Sequence, residues 1–135
     1  MSDSTDNSAL SLEVIEGTFD LAREGRTGPL GEMIDAGVGV DVKNPRGDTL
    51  LIVATYAEHS ETVAELLRRG ATLDAVNASG QTAVTCAVFR RNEQLLRMLL
   101  DAGADQNAGK NTAAATADQF ELTGMRAVLD EYAAR

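Results

Sequence analysis

The sequence predicts an all-α fold, a solenoid of stacked helix–turn–helix units joined by short finger loops. Three observations predict it. The stretch Asn44-Pro45-Arg46-Gly47-Asp48-Thr49-Leu50-Leu51-Ile52-Val53-Ala54 is matched 33 residues later by Asn77-Ala78-Ser79-Gly80-Gln81-Thr82-Ala83-Val84-Thr85-Cys86-Ala87. At the same spacing, Leu66-Leu67-Arg68-Arg69-Gly70-Ala71 returns as Leu99-Leu100-Asp101-Ala102-Gly103-Ala104. Gly37, Gly70 and Gly103 mark the period a third time. A fixed period in the range of about 20–50 residues denotes units that bury their apolar faces against their neighbours.

The repeated pattern, Asn-x-x-Gly-x-Thr-x-Leu/Val-x-x-Ala followed by Leu-Leu-x-x-Gly-Ala, resembles the ankyrin repeat. Two central units match well and two flanking units loosely, giving about four units including caps, as in small, bacterial-type members. The family's Thr-Pro-Leu-His reads Thr49-Leu50-Leu51-Ile52 in one unit and Thr82-Ala83-Val84-Thr85 in the next. The usual proline is missing, and so is the histidine that ties neighbouring repeats. The bias of basic residues to arginine, with Lys43 and Lys110 the two lysines, fits a GC-rich genome.

Residues 1–9 are small and polar without periodicity and read as a flexible tail. Residues 10–135 read as a single domain, with units at about 10–43, 44–76, 77–108 and 109–135. In the first unit Leu10, Val14, Leu21 and Ala22 fall near helical spacing, with Ile15 and Phe19 beside them. Gly25 breaks this helix. Thr27 is placed to cap the next one, with Pro29 in its first turn and Leu30, Met33 and Ile34 facing inward. In the second unit the pattern predicts helices over about 49–58 and 60–69, with Thr49 and Ser60 as N-caps and Val63, Leu66 and Leu67 in the core. The third repeats this over about 82–91 and 93–101, with Leu95, Leu96, Leu99 and Leu100 buried. Ala54 and Ala87 hold the small position where paired helices approach. The fourth finger is three residues shorter, and helices follow over about 112–122 and 123–134. Asp130, Glu131 and Arg135 turn the last helix towards water, as a capping unit requires. The three period-marking glycines suit a left-handed residue just past a helix end.

Composition excludes several function classes. The 21 acidic residues against 12 basic ones give a net charge of −9, which argues against electrostatic binding of nucleic acid or of an anionic membrane. Cys86 is the sole cysteine, so the sequence offers no internal disulfide and no thiolate metal cluster. The start of the chain lacks the basic and apolar stretches of a signal peptide, and no run of about 18 apolar residues occurs. The expectation is a cytoplasmic monomer.

No catalytic constellation assembles. His59, the one histidine, falls between two helices and reads as a loop residue bonded to backbone. Cys86 lies among Val84 and Ala87 and reads as a packing residue. The loop from Gly37 to Val40 follows a helix, whereas a phosphate cradle follows a strand. Asp101, Asp105 and Asn107 lack the closing glutamate of a calcium loop. The expected protein is therefore not an enzyme and carries no cofactor or metal.

In ankyrin-like proteins the fingers and first helices usually line a concave face that binds partners. Carried over to this chain, the resemblance implies Arg23, Lys43, Arg46, Asp48, Tyr56, Gln81, Phe89 and Arg90 as partner-binding residues. Arg23, Tyr56, Phe89 and Phe120 (or Gln119) should form a row across the units, with Lys43, Arg46 and Arg90 close by. Phe89 and Phe120 either join that row or tuck between helices as core. The implied role is a protein–protein interaction module whose partner offers an acidic segment with apolar anchors. A regulatory or stabilising subunit of an enzyme complex is the alternative, ahead of an enzyme or small-molecule carrier.

Overall fold

The computed structural model describes residues 11–135; the tail expected over residues 1–9, and Leu10, lie outside the described residues. Eight helices occur among them: α1 (Leu12–Glu24), α2 (Thr27–Asp35), α3 (Leu50–Tyr56), α4 (Ser60–Arg68), α5 (Ala83–Phe89), α6 (Glu93–Asp101), α7 (Ala113–Gln119) and α8 (Thr123–Ala133). Consecutive helices pair as antiparallel hairpins, and each hairpin packs on the next. The first helices α1, α3, α5 and α7 form one layer, and the second helices α2, α4, α6 and α8 form the other.

The first helices of the later units are only two turns long, too short to persist alone. They are held by burial and by caps. Leu50, Leu51, Ile52, Val53 and Ala54 are buried in α3, and Ala83, Val84, Cys86, Ala87 and Val88 in α5. Thr49, Thr82 and Thr112 accept hydrogen bonds from the backbone N–H groups of Ile52, Thr85 and Ala115. Each is the expected N-cap and satisfies a donor the helix cannot. Thr82 and Thr85 close a reciprocal capping box.

Two expected caps differ. Thr27 and Ser60 are first helical residues, and Arg26 and His59 hold the cap positions without a side-chain bond. The residue at the preceding bend explains the second case. Glu58 is left-handed at φ 64, so the bend falls two residues before Ser60 and leaves His59 at the cap position. Thr27 is used elsewhere, its hydroxyl 2.7 Å from that of buried Thr62 on α4. The α1 stripe is also displaced from its expected register. Thr18, Phe19 and Ala22 are the buried residues, whereas Val14 and Leu21 are half exposed. A hydrophobic spacing alone leaves the helix free to rotate by one residue, and Phe19 brings the largest apolar surface inward.

The second helices carry the cleaner amphipathic pattern. Val63 and Leu66 on α4, and Leu95, Leu96, Leu99 and Leu100 on α6, are buried. Leu67 is half-buried at the edge. Opposite these stripes, ion pairs join successive units: Arg69 with Asp35 (2.9 Å) and Arg97 with Glu131 (3.0 Å).

Each finger is a tight turn that its own asparagine or aspartate organises. Asn44 Oδ1 accepts from the N–H groups of Arg46 and Asp48, and Asn77 Oδ1 from those of Ser79 and Gln81. Adjacent fingers then bond through their backbones. Ala78 N–H donates to Arg46 O, and Lys110 N–H to Gly80 O, both at 2.9 Å. A Cβ on Gly80 would fall 2.3 Å from Lys110 Cβ, so the glycine of each Gly-x-Thr permits this approach. One period before Ala78 stands Pro45, which has no N–H. The outer edge of the first finger therefore presents no donor at the position that binds a preceding finger.

Candidate functional site

Each first helix ends at the same face. Tyr56 is the last residue of α3, Phe89 the last of α5, and Phe120 follows α7 directly. All three side chains are exposed, at 46%, 40% and 43%. Tyr56 and Phe89 stack nearly parallel, with ring centroids 6.3 Å apart. Phe89 and Phe120 meet edge to face at 5.5 Å. Phe89 and Phe120 thus belong to a surface row and not to the core. Such contacts hold aromatic rings in fixed orientations before any ligand arrives.

Between this row and the fingers runs a groove of about 570 Å³. Its floor is Ile52, Val53 and Cys86, and Asp48, Asn77 and Gln81 form its finger wall. Ile52 occupies the position at which the repeat pattern has histidine, which makes the floor apolar. A second groove of about 610 Å³ continues between α1 and the first finger, past Phe19, Lys43 and Pro45. Arg23 and Arg46 line both grooves.

The structure brings most of the sequence-predicted site residues together. Arg23, Arg46, Asp48, Tyr56, Gln81 and Phe89 line the first groove, and Lys43 lines the second. Arg90 is placed differently. Its guanidinium lies 5.0 Å from the centre of the Tyr56 ring and bonds Glu58 at 2.8 Å. Those bonds, with a third from Asn92, hold the Glu58 carboxyl below its ordinary range. Arg90 therefore orders the aromatic row, and its charge is matched by Glu58.

The expected basic groove is correspondingly less one-sided than the count of bases suggests. Arg23 pairs with Asp20 at 2.7 Å, and Arg46 lies 3.6 Å from Asp48. The Arg46 side chain is nevertheless 77% exposed, against 13% for Asp48. The carboxylate of Asp48 is engaged inward, accepting from Asn77 Nδ2 at 2.8 Å. Other finger acids are engaged as well. Asp41 accepts from the N–H and hydroxyl of Thr72, Asp74 from the N–H of Asp105, and Asp105 from the N–H of Asn107. Lys43 and Lys110 have no ion-pair partner among the described residues. The finger edge thus presents exposed Arg46 and Lys43 beside acids that are held in hydrogen bonds to backbone and side chains.

His59 Nε2 donates to Arg23 O at 2.9 Å and ties the second unit to the first, the backbone role expected of it. Cys86 is buried, and burial pushes its thiol up to about 12, far from the range of a reactive thiolate. Among the described residues no three His, Cys, Asp or Glu side chains converge as a metal site, and no helix is long and apolar enough to cross a membrane. Sequence reasoning left Phe120 undecided and overlooked the hydrogen-bonded state of the finger acids. The offset of 33 residues between Asp41 and Asp74 was the available signal for the latter.

A family model described as ankyrin repeats, in three copies, matches residues 20–110, and the chain belongs to the ankyrin repeat family. Over 51 residues it is 37% identical to a Pseudomonas aeruginosa protein named for ankyrin repeats. That stretch covers 38% of this chain and 30% of the relative, so the match spans under a third of the relative's length. Ankyrin repeats are generally protein–protein interaction modules, not enzymes.

Proposed function

We propose that this chain binds a partner protein through the face formed by its fingers and first helices, and that the partner contributes an acidic segment with apolar anchors. The observation that carries this reading is the aromatic row Tyr56, Phe89 and Phe120, exposed yet pre-stacked, beside a groove whose finger edge presents Arg46 and Lys43. Rigid, half-exposed aromatics make low-entropy anchors, and aromatics with arginine dominate binding hot spots. Apolar side chains of the partner would fill the groove over Ile52 and Val53 while its carboxylates reach Arg46, Lys43 and Arg23.

The test is the binding kinetics of variants against the partner recovered with the intact protein. Phe89→Ala and Tyr56→Ala should act on dissociation, with a loss of about 2–4 kcal/mol if either ring is a hot spot. Arg46→Glu should slow association, and more so at low salt, because exposed charges steer encounter within a screening length of about 8–10 Å. Glu61→Ala and Gln94→Ala, exposed on α4 and α6, serve as controls on the opposite layer. Weakening by the control pair with no effect of the aromatic pair would refute the assignment of the face.

A further inference from the structure

The two grooves are one feature of the repeat, met in successive units. The first is lined by Ile52, Val53 and Tyr56 of α3, and the second by Phe19, Asp20 and Arg23 of α1. These residues correspond pairwise at 33 positions, so the grooves hold equivalent places in the stack. Where Pro45 and Ala78 stand in the fingers, the first unit has Leu12, at the start of α1. Leu12 is the most exposed large apolar side chain among the described residues, at 60%, and lies outside the aromatic row. It lines the second groove together with half-buried Ile15 and exposed Pro45.

Charge is divided between the grooves. Arg23 and Arg46 line both, which places them at the boundary. Arg23 is paired with Asp20 at 2.7 Å, so Arg46, with its side chain 77% exposed, is the freer cation there. Beyond the boundary, α1 contributes Glu16 and Asp20 to the wall of the second groove. A ligand carboxylate on that wall would meet like charges, a juxtaposition that rejects wrong partners. An apolar side chain meets no such repulsion there and takes Leu12, Ile15 and Pro45 out of water. On the other side of Arg46, the floor of Ile52 and Val53 is apolar as well.

Resting on the binding face proposed above, we infer that this face extends onto the first unit, and that the partner segment carries its carboxylate between two apolar residues. One apolar residue fills the groove over Ile52 and Val53, beside Tyr56 and Phe89. The carboxylate meets Arg46 at the boundary. The second apolar residue seats on Leu12, Ile15 and Pro45. A segment with its acid at that end instead of between the anchors faces Glu16 and Asp20 and is disfavoured.

Selection from a phage-displayed library of random dodecapeptides on the immobilised full chain tests it. Enriched peptides should place an Asp or Glu between two apolar residues. A synthetic copy of an enriched peptide should lose at least fivefold in affinity for Leu12→Ser and for Phe89→Ala, with the thermal midpoint of each variant checking its fold. Arg46→Glu should prefer a copy in which Lys replaces the central acid. Loss with Phe89→Ala but affinity within twofold for Leu12→Ser would overturn the extension onto the first unit and leave the face intact. Acids enriched at a peptide end, or no preference of Arg46→Glu for the Lys copy, would overturn the order of anchors. Self-association of the unliganded chain that Leu12→Ser abolishes would assign Leu12 to a second copy and overturn the extension. Unchanged affinity for both Leu12→Ser and Phe89→Ala, or no enrichment at all, would overturn the face and the inference together.

Discussion

The bend between the two helices of each unit contains one left-handed residue, and its chemistry varies while its geometry does not. Gly25 has φ 72, Glu58 φ 64, Arg91 φ 58 and Glu121 φ 55. For a residue with a Cβ this conformation costs about 1–2 kcal/mol. Glycine removes that strain but adds roughly 0.5–1 kcal/mol of unfolded-state entropy. Arg91 is exposed and makes no side-chain hydrogen bond among the described residues, so Arg91→Gly has nothing else to lose. The net expectation is a gain of about 0.7 kcal/mol. In urea, with a slope of about 1–3 kcal/mol per molar, the midpoint should rise by a few tenths molar. Glu58→Gly should gain less, because it also removes the 2.8 Å pair with Arg90 and the 3.0 Å bond from Asn92. Gly25→Ala should be destabilising by more than about 1 kcal/mol. Its Cβ would stand 2.5 Å from His59 Nδ1 and displace the ring from Arg23 O. An Arg91→Gly midpoint below that of the unaltered protein would refute the strain assigned to these bends.

Other expectations follow from burial and charge. Leu99→Ala on α6, a fully buried site, should cost about 2–5 kcal/mol by equilibrium unfolding. Thr55 is fully buried with its hydroxyl unpartnered among the described residues, and Val88 fills the matching position one unit later. Thr55→Val should therefore stabilise by about 1 kcal/mol in the same assay, since the hydroxyl's desolvation is uncompensated. Glu58, Asp35, Glu65 and Glu131 are held below their ordinary carboxylate values, chiefly by hydrogen bonds from Arg90, Arg69, Arg68 and Arg97 respectively. Depressed folded-state values mean that this stabilisation is fully present above the unfolded values near 3.8 and 4.5. It is lost as pH falls through the lower folded ones. Urea midpoints should thus be level near neutrality and fall below about pH 4.5, with added salt shrinking the difference.

The elements that repeat were the ones legible in the sequence. Thr49, Thr82, Gly70 and Gly103 recur in register, and each position has one local job, a cap or a helix stop, that its residue type performs in any unit. Terminal and lateral features were harder to read. The unit that holds α1 lacks the Gly-x-Thr entry that sets the register of the later first helices, so the spacing of Val14 and Leu21 did not reveal that Phe19 turns inward. Ser60 has the chemistry of a cap, but the left-handed Glu58 before it moves the cap position to His59. At the site, the row of Tyr56, Phe89 and Phe120 followed from the period, because equal positions in successive units stand side by side. Its stacking geometry did not, since a period fixes where a Cα lies and not how a ring leans. The state of Arg90 and Asp48 depended on partners 32 and 29 residues away, Glu58 and Asn77. A count of bases and acids along the chain carries no information on which of them bond each other.

The central claim is that the finger and first-helix face is the one a partner covers, and a residue-by-residue footprint tests it most directly. Amide and aromatic NMR signals of the labelled protein are followed as the recovered partner is added to saturation. The account predicts shifts concentrated in the rings of Tyr56, Phe89 and Phe120 and in the fingers around Arg46 and Ser79. The exposed residues of α4 and α6, Glu61 and Gln94 among them, should remain unchanged. Shifts confined to α4 and α6, with the three rings unperturbed, would contradict it.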